Sequence, residues 1–390
     1  MTPVLCCGFE CGIAPGVSTT HLFGLNGTSS FSTTTVRTGL RSIRVNPTAG
    51  TGSATINLPS TANVHVRRFA VRFAALPDAT TNIGNPIGAW FNVSDSKIYA
   101  GEDNGGPVQL GATGVSVTTG QWYVIDVRAD ISANPWLIDV QVNGVACGQR
   151  SSAIAAASFL AADTAGVSKT CTTDAFFDDY IVSFTAADYP IGDGYVLSYI
   201  PNEDGTHNIA GASDFFGGTN AAPKNVDLNG RTDAYTYVDE RPLPTTSVDF
   251  VNGVAPPNST DYVEVAYENS AESIAPQAVE GIVVWHDASG AGTHNFQLTL
   301  RDSGGGTTAN IIAAGARNVG ATITYGRAHF ATIPGGGAWT LAAFNALRSR
   351  FLVSDASPDV YIDALMLEAD YRAHSLPSMH RSYRNVLLRR

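Results

Sequence analysis

Phe176-Phe177-Asp178-Asp179-Tyr180-Ile181-Val182-Ser183-Phe184 is the stretch whose reading decides the fold, and it runs directly into residues 186–208, AADYPIGDGYVLSYIPNEDGTHN. The first nine residues alternate apolar and polar at period two, which predicts a half-buried strand. On a regular strand the adjacent Asp178 and Asp179 face opposite sides, so they are not expected to act as a pair. The second part is a run of turn residues around the short apolar segment 195–200. The whole stretch sits near the midpoint of 390 residues, with a β-rich half on either side.

Working backward, residues 36–45, 55–58 and 64–73 read as strands, the last dense in β-branched and aromatic residues. Arg67, Arg68 and Arg72 lie inside it, so one face must be wet or paired. Residues 90–93 and 97–100 flank Ser94-Asp95-Ser96 as a hairpin. Residues 121–128 and 136–142 flank the turn at Asn134-Pro135, and the second of these strands ends at Asn143-Gly144. Asn-Gly is the strongest two-residue hairpin signal, because both turn positions need positive φ. The Ala-rich residues 152–162 are expected to form one or two helical turns.

Working forward, residues 262–268 alternate strictly, and 278–286, 295–301 and 322–332 follow as strands, with a hairpin tip at Gly304-Gly305-Gly306. Residues 339–351 carry apolar side chains at helical spacing (Trp339, Ala343, Leu347, Phe351). Residues 360–368 close this half with an aromatic, an acid and an apolar run, as 177–183 close the first. The expected architecture is all-β: two tandem antiparallel β-sandwiches of the jelly-roll kind joined by a short structured linker. The boundaries fall at 1–188 for the first domain, 189–246 for the linker and connector, 247–371 for the second domain and 372–390 for a basic tail.

Composition narrows the function classes. Charged residues make up 15%, there are 39 glycines, and the net charge is −11. Short strands and tight turns fit that composition, and the negative charge excludes a nucleic-acid surface, which needs a basic face. No apolar run is long enough for a membrane span, and no signal peptide is visible. Five cysteines, with Cys6 and Cys7 adjacent, do not make a disulfide framework. Buried free thiols are expected, the alternative being a zinc site of Cys6, Cys7, Cys11 and His21.

The series Gly39-Leu40-Arg41-Ser42-Ile43-Arg44-Val45, Gln121-Trp122-Tyr123, Leu137-Ile138-Asp139-Val140-Gln141-Val142-Asn143-Gly144 and Phe177-Asp178-Asp179-Tyr180-Ile181-Val182 resembles the concanavalin A-like (laminin-G-like) jelly-roll superfamily. The continuation through 187–208, with Asp239-Glu240-Arg241-Pro242, resembles tailed-bacteriophage virion structural proteins that carry such a domain. The resemblance implies a non-enzymatic virion structural protein, assembled in the host cytoplasm and exposed on the particle as a minor tail or tail-associated protein. Its implied partners are other virion proteins, further copies of itself on a symmetric particle, and host-surface glycans. Two alternatives stand beside this: a capsid decoration protein of the phage head, and a lectin-like carbohydrate-binding protein of a cell.

Candidate sites are sparse. Glycosidases of this fold need two carboxylates flanking the scissile bond; Glu264 and Glu268 are the nearest pair and lack the middle acid. No catalytic residue is assigned. No cofactor is expected except calcium, for which Asp193, Asn202, Glu203 and Asp204, with Asn208, supply oxygen ligands close in sequence; the competing reading is turn capping. His207 and His294 each lie in Gly-Thr-His-Asn and are read as turn-to-strand transitions. Of Trp90, Trp122, Trp136, Trp285 and Trp339, most are expected in the core, with Trp136 the exposed one that would stack on a sugar ring. Arg381, Arg384, Arg389 and Arg390 are the docking residues of the tail.

Overall fold

A computed structural model describes residues 3–10, 23–58, 62–84, 87–103, 107–132, 136–152, 162–209, 215–219, 222–240, 243, 249–253, 261–287, 291–302, 308–320, 323–353 and 360–372. The chain forms two antiparallel β-sandwiches, each of two facing sheets. In spatial order, sheet I holds Val145–Ser152, Trp136–Val142, Trp122–Asp130, Val64–Ala75, Asp174–Ser183, Ser42–Val45 and Ser29–Ser32, with Pro3–Cys7 also paired to Asp174–Ser183. Sheet II, which faces it, holds Pro107–Gln109, Lys97–Asp103, Ile87–Asn92, Thr81–Ile83, Ala162–Cys171, Gly50–Asn57 and Phe23–Gly27, with Val115–Ser116 at the edge.

In the second sandwich, sheet III runs Ala222–Asp227, Phe215–Thr219, Asp249–Gly253, Val360–Arg372, Ala278–Asp287 and Thr324–Phe330, with Gly194–Tyr199 paired to Val360–Arg372. Sheet IV runs Pro201–Asp204, Tyr262–Tyr267, Arg348–Val353, Ala291–Arg301 and Thr308–Gly320. The two closing strands foreseen in the sequence are thus central strands of their sheets. Among the described residues no helix is long and apolar enough to cross a membrane.

Alternation places the cores. From Val64–Ala75, Phe69, Val71 and Phe73 enter the first core, while Arg68 and Ala70 face the opposite way. Arg67 points inward with them, where Asp163 of sheet II meets its Nη1 with both carboxylate oxygens at 3.2 Å. Arg72 lies over the Phe176 ring at 6.0 Å. Arg67 and Arg72 therefore have separate partners on the two faces of the strand. Burial and the Tyr180 hydroxyl also act on Asp163, but Arg67 holds its carboxyl below the ordinary range.

The closing strand departs from simple alternation. Its ladder with Val64–Ala75 breaks between Asp178 and Ile181, and Asp179 takes φ 53°, so a bulge sits there. A bulge sets two consecutive residues on one side. Phe177 and Tyr180 both enter the core, and Asp178 and Asp179 both turn outward to the segment at 37–38. The expectation that the two acids face opposite sides is thereby overturned.

The outer face of sheet I packs on the outer face of sheet III, and this joint makes the two sandwiches one body. Its apolar part is Ile282, Val284, Ala364 and Met366 of sheet III, continuous with the first core, plus a small cluster of Cys6, Val66, Ile181, Ile191 and Val196. Its polar part is a charge network, buried at Asp179 and Asp370 and open to solvent at Asp193. Arg37 Nη1 donates to Asp179 Oδ2 and to the Gly194 carbonyl, each at 2.6 Å, and its Nη2 reaches Asp193 Oδ1 at 2.5 Å. The Arg37 amide donates to Asp178 Oδ2 at 2.8 Å, and Thr38 Oγ1 and the Val196 amide donate to Asp179 Oδ1. Arg68 lies 3.9 Å from Asp370, which also pairs with Arg372 at 2.5 Å. Burial alone would pull the Arg37 guanidinium down; Asp179 and Asp193 beside it reverse that and hold it above its usual range.

The connector is shorter than the sequence implies. Residues 194–227, read as part of a linker, supply four strands to the second sandwich. Val196 is fully buried and Tyr195 stacks on Tyr371 with centroids 5.6 Å apart. The true connector is residues 184–193, pinned to sheet I: the Tyr189 hydroxyl donates to Asp139 at 2.9 Å, and the Gly192 amide to Asp126 Oδ1 at 3.1 Å. Residues 339–351 also differ from expectation. The helix is only Leu341–Asn345, capped by Thr340, and Arg348–Val353 alternates as a strand that buries Ser349, Phe351 and Val353. Of the residues expected to form helical turns, 152 and 162 are strand ends and 153–161 lie outside the described residues, as does the Gly304-Gly305-Gly306 tip.

Asp126 gives a pH test of the joint. Burial pushes its carboxyl up from the ordinary value to about 6, against the Gly192 amide and Arg68, which pull it down. The folded state thus binds this proton more tightly than the unfolded chain does. Its contribution is fullest below the unfolded value of 3.8 and is lost as pH rises to about 6. Asp126→Asn keeps an oxygen for Gly192 without the buried charge. It is expected to be more stable than the native chain at pH 7.5 by about 1–3 kcal/mol, at ~1.4 kcal/mol per unit, with the gap closing by pH 4 in urea unfolding.

Candidate functional site

The outer face of sheet IV carries the most ligand-like arrangement. Its strands alternate, so Val263, Val265, Leu298, Leu300, Phe351 and Val353 enter the second core and the residues between them face out. Ladder registers align the outward side chains into rows: Glu264, Arg350, Thr299 and Asn310 in one, and Tyr262, Leu352 and Gln297 in the next. Cross-strand neighbours of this kind lie about 5 Å apart. The result is a strip of carboxylate, guanidinium, hydroxyl and amide groups beside one aromatic ring.

Glu264 is the anchor of the strip. Its Oε2 accepts from Arg301 Nη1 at 2.8 Å and from Arg350 Nε at 2.5 Å, and its Oε1 accepts from the Thr206 amide at 3.1 Å. Gly205 passes so close that a Cβ there would lie 2.4 Å from Glu264 Cγ. Arg350 is in turn stacked over Tyr262 with 3.8 Å to the ring centroid, a cation–π contact that fixes both groups. Gln297 donates to Asn310 at 2.7 Å. Thr299 Oγ1 and Arg301 Nε are buried and have no hydrogen-bond partner among the described residues. Preset donors and acceptors beside an aromatic ring suit a hydroxyl-rich ligand.

The same geometry bears on the carboxylate pair raised by the sequence. Arginines and an amide occupy both oxygens of Glu264, and Glu268 accepts from the Ile200 amide at 3.3 Å. His207 belongs to this network: its Nδ1 accepts from the Glu264 amide at 3.0 Å, so Nε2 carries the hydrogen that Asp204 Oδ2 receives at 3.1 Å. His294, in the identical tetrapeptide, lies instead within the strand Ala291–Arg301 and is buried. The two copies share no structural role.

The calcium set does not assemble. Asp193 is tied to Arg37 at the joint. Asp204 accepts from the Ala234 and Tyr235 amides and from His207, at the start of the 3-10 turn Ala234–Tyr237. Asn202 and Glu203 are exposed on the strand Pro201–Asp204. A cation requires free lone pairs converging on one point; at Asp193 and Asp204 cationic and N–H donors hold them, and Asp204 caps the turn. Asn208 instead bridges Tyr262 through its backbone.

Trp136 is a correction of the same kind. It is 2% exposed, because period two puts it on the side of Ile138, Val140 and Val142, which face the first core. Trp122 is the half-buried tryptophan; the other four are buried. Cys6, Cys7, Cys147 and Cys171 are buried thiols outside any disulfide. Cys6 and Cys7 point to opposite sides of their strand, the joint and the first core, so they cannot share one zinc; Cys11 and His21 lie outside the described residues. So do the docking residues Arg381, Arg384, Arg389 and Arg390.

One titratable pair escaped the sequence reading. Burial, with the hydrogen bond to Asp249 next, pushes the Glu240 carboxyl up to about 10. Nothing in the sequence spacing brings these two acids together.

No family model matches the chain, and no curated protein matches it. Among solved structures the likenesses are distant, with TM-scores below 0.5. Domain 4 of AbnA, a GH43 extracellular arabinanase from Geobacillus stearothermophilus, solved with arabinotriose, is 12% identical at a TM-score of 0.34, over 46% of this chain and 91% of that one. The CBM22-1-CBM22-2 tandem domain from Paenibacillus barcinonensis Xyn10C is 10% identical at a TM-score of 0.26, over 94% and 97%. The botulinum neurotoxin type G receptor binding domain is 13% identical at a TM-score of 0.34, over 72% and 75%.

Proposed function

We propose that this chain is a non-enzymatic structural protein of a tailed-bacteriophage particle, displayed on the exterior as a tail-associated component that attaches weakly to host-surface glycans. The observation that carries the reading is the joint. Two sandwiches locked face to face by buried ion pairs make a stiff two-module unit, suited to holding a binding face at fixed distance and angle from a particle. The sequence resemblance in 187–208 supports the particle, and the strip around Glu264 supports the glycan. Glu264 works there as a fixed acceptor that orients Arg301 and Arg350, and Tyr262 offers an apolar ring edge. Single-site affinity on so shallow a strip is weak, and many copies on one particle would convert it into avid attachment.

Labelled electron microscopy of purified particles tests the first part: the label is expected on the particle exterior, and its absence from particles would sink the reading. For the second part, multimerised protein on a glycan array is expected to bind a subset of sugars. Arg350→Ala should cut that signal roughly five- to thirtyfold, one hydrogen-bonding and stacking group being worth about 1–2 kcal/mol. Release of oligosaccharide from any glycan would contradict the non-enzymatic assignment.

A further inference from the structure

Cys6 crosses the joint. It sits on the strand Pro3–Cys7, opposite Ile181 in the first sandwich, yet its amide donates to Glu280 Oε1 of the second at 3.1 Å and its thiol to the Glu368 carbonyl at 3.7 Å. Glu280 lies in a cross-strand row on the outer face of sheet III, between His329 on one neighbouring strand and Glu368 on the other. His329 Nδ1 is 2.8 Å from Glu280 Oε1. The thiol of Cys6, a carboxylate oxygen of Glu280 and a ring nitrogen of His329 all lie within 4.8 Å of one another.

We propose that Cys6, Glu280 and His329 bind a divalent transition-metal ion of the zinc class, which staples the two sandwiches together. Three observations converge. The donor set of thiolate, imidazole and carboxylate is one that Zn²⁺ accepts and that hard ions such as Ca²⁺ and Mg²⁺ do not. Glu280 is fully buried, and its Oε2 has no hydrogen-bond partner among the described residues, with Arg327 Nε at 3.9 Å as its ion-pair neighbour. His329 Nε2 is likewise buried without a hydrogen-bond partner among them. Tetrahedral ligands about 2.0–2.3 Å from an ion stand roughly 3.3–3.8 Å apart, so side-chain rotations of about an ångström close the set.

The binding step balances through protons. The ion replaces the proton on the Cys6 sulfur, which leaves to solvent, and takes a lone pair from the imidazole and one from the carboxylate. The fourth position falls to water or to a neighbouring oxygen. Because Cys6 comes from one sandwich and the other two ligands from the other, metal loss would weaken the joint without touching either core.

The test uses the full chain, purified in chelator and then titrated with Co²⁺ and Zn²⁺. One equivalent of Co²⁺ is expected to give a near-ultraviolet thiolate-to-cobalt band, displaced by Zn²⁺, and Zn²⁺ should raise the midpoint of thermal unfolding. Cys6→Ser should abolish the thiolate band. His329→Gln, at a half-buried position that tolerates change, should weaken Zn²⁺ binding roughly tenfold or more, since even groups that only support a ligand are worth that much. Substoichiometric binding, a cobalt spectrum without the thiolate band, or binding unchanged in both variants would overturn the proposal.

Discussion

Replacing Arg37 with alanine is expected to lower the free energy of unfolding by about 3–5 kcal/mol, the cost of leaving a buried charge without its partner. The size follows from what Arg37 holds. Its side chain is 11% exposed and bridges Asp179, which is fully buried, to Asp193 and the Gly194 carbonyl. Without the guanidinium, Asp178 and Asp179 stand side by side at the bulge; burial and the Asp179 charge already push the Asp178 carboxyl well up. Urea unfolding of Arg37→Ala against the native chain measures the loss. The double variant Arg37→Ala with Asp179→Ala should recover part of it, because the stranded charge is then gone. A loss below about 1 kcal/mol, the range of exposed pairs, would mean that the joint is solvated.

Asp163→Ala is expected to cost a similar ~3–5 kcal/mol, with a different consequence. Asp163 and Arg67 are each about 1% exposed and face each other from sheets II and I across the first core. Tyr180, on the same sheet as Arg67, stacks on Phe69 with centroids 5.7 Å apart. Alanine takes away the carboxylate that meets the buried Arg67 guanidinium with both oxygens. The first sandwich should unfold at lower denaturant while the second keeps its own transition. Loss of both together in one transition, at the same midpoint, would show that the sandwiches cannot fold apart. Asp163→Asn should recover part of the loss by keeping one acceptor for Arg67.

Much of the fold was legible because it is local. Residues 136–142 alternate at period two, and Asn143 and Gly144 take φ 49° and 76° at the turn into Val145–Ser152, as an Asn-Gly pair requires. The errors came where non-local contacts override pattern. Trp136 follows Asn134-Pro135 and was expected outside, but phase along its strand puts it inside. Asp178 and Asp179 were expected apart until the bulge set them together. Residues 194–227 are rich in turn formers and look like a linker; the strand Gly194–Tyr199 gains its place only by pairing with Val360–Arg372, some 170 positions away. The polar strip was half visible, since Glu264 stood out, but the spacing of Arg301 and Arg350 has no meaning until the sheet is ordered. The joint itself was hidden: Arg37, Arg68 and Glu280 look like ordinary solvated charges on strands.

The rigidity of that joint is tested most directly by a distance across it. Val145 is 50% exposed in the first sandwich and Asn269 is exposed in the second, so spin labels on Val145→Cys and Asn269→Cys, in a Cys11→Ser background, report their separation. The buried cysteines Cys6, Cys7, Cys147 and Cys171 should stay unlabelled. A single narrow distance distribution is expected for the otherwise native chain, with marked broadening in Arg37→Ala. A broad distribution already present before Arg37 is changed would contradict a locked pair of sandwiches.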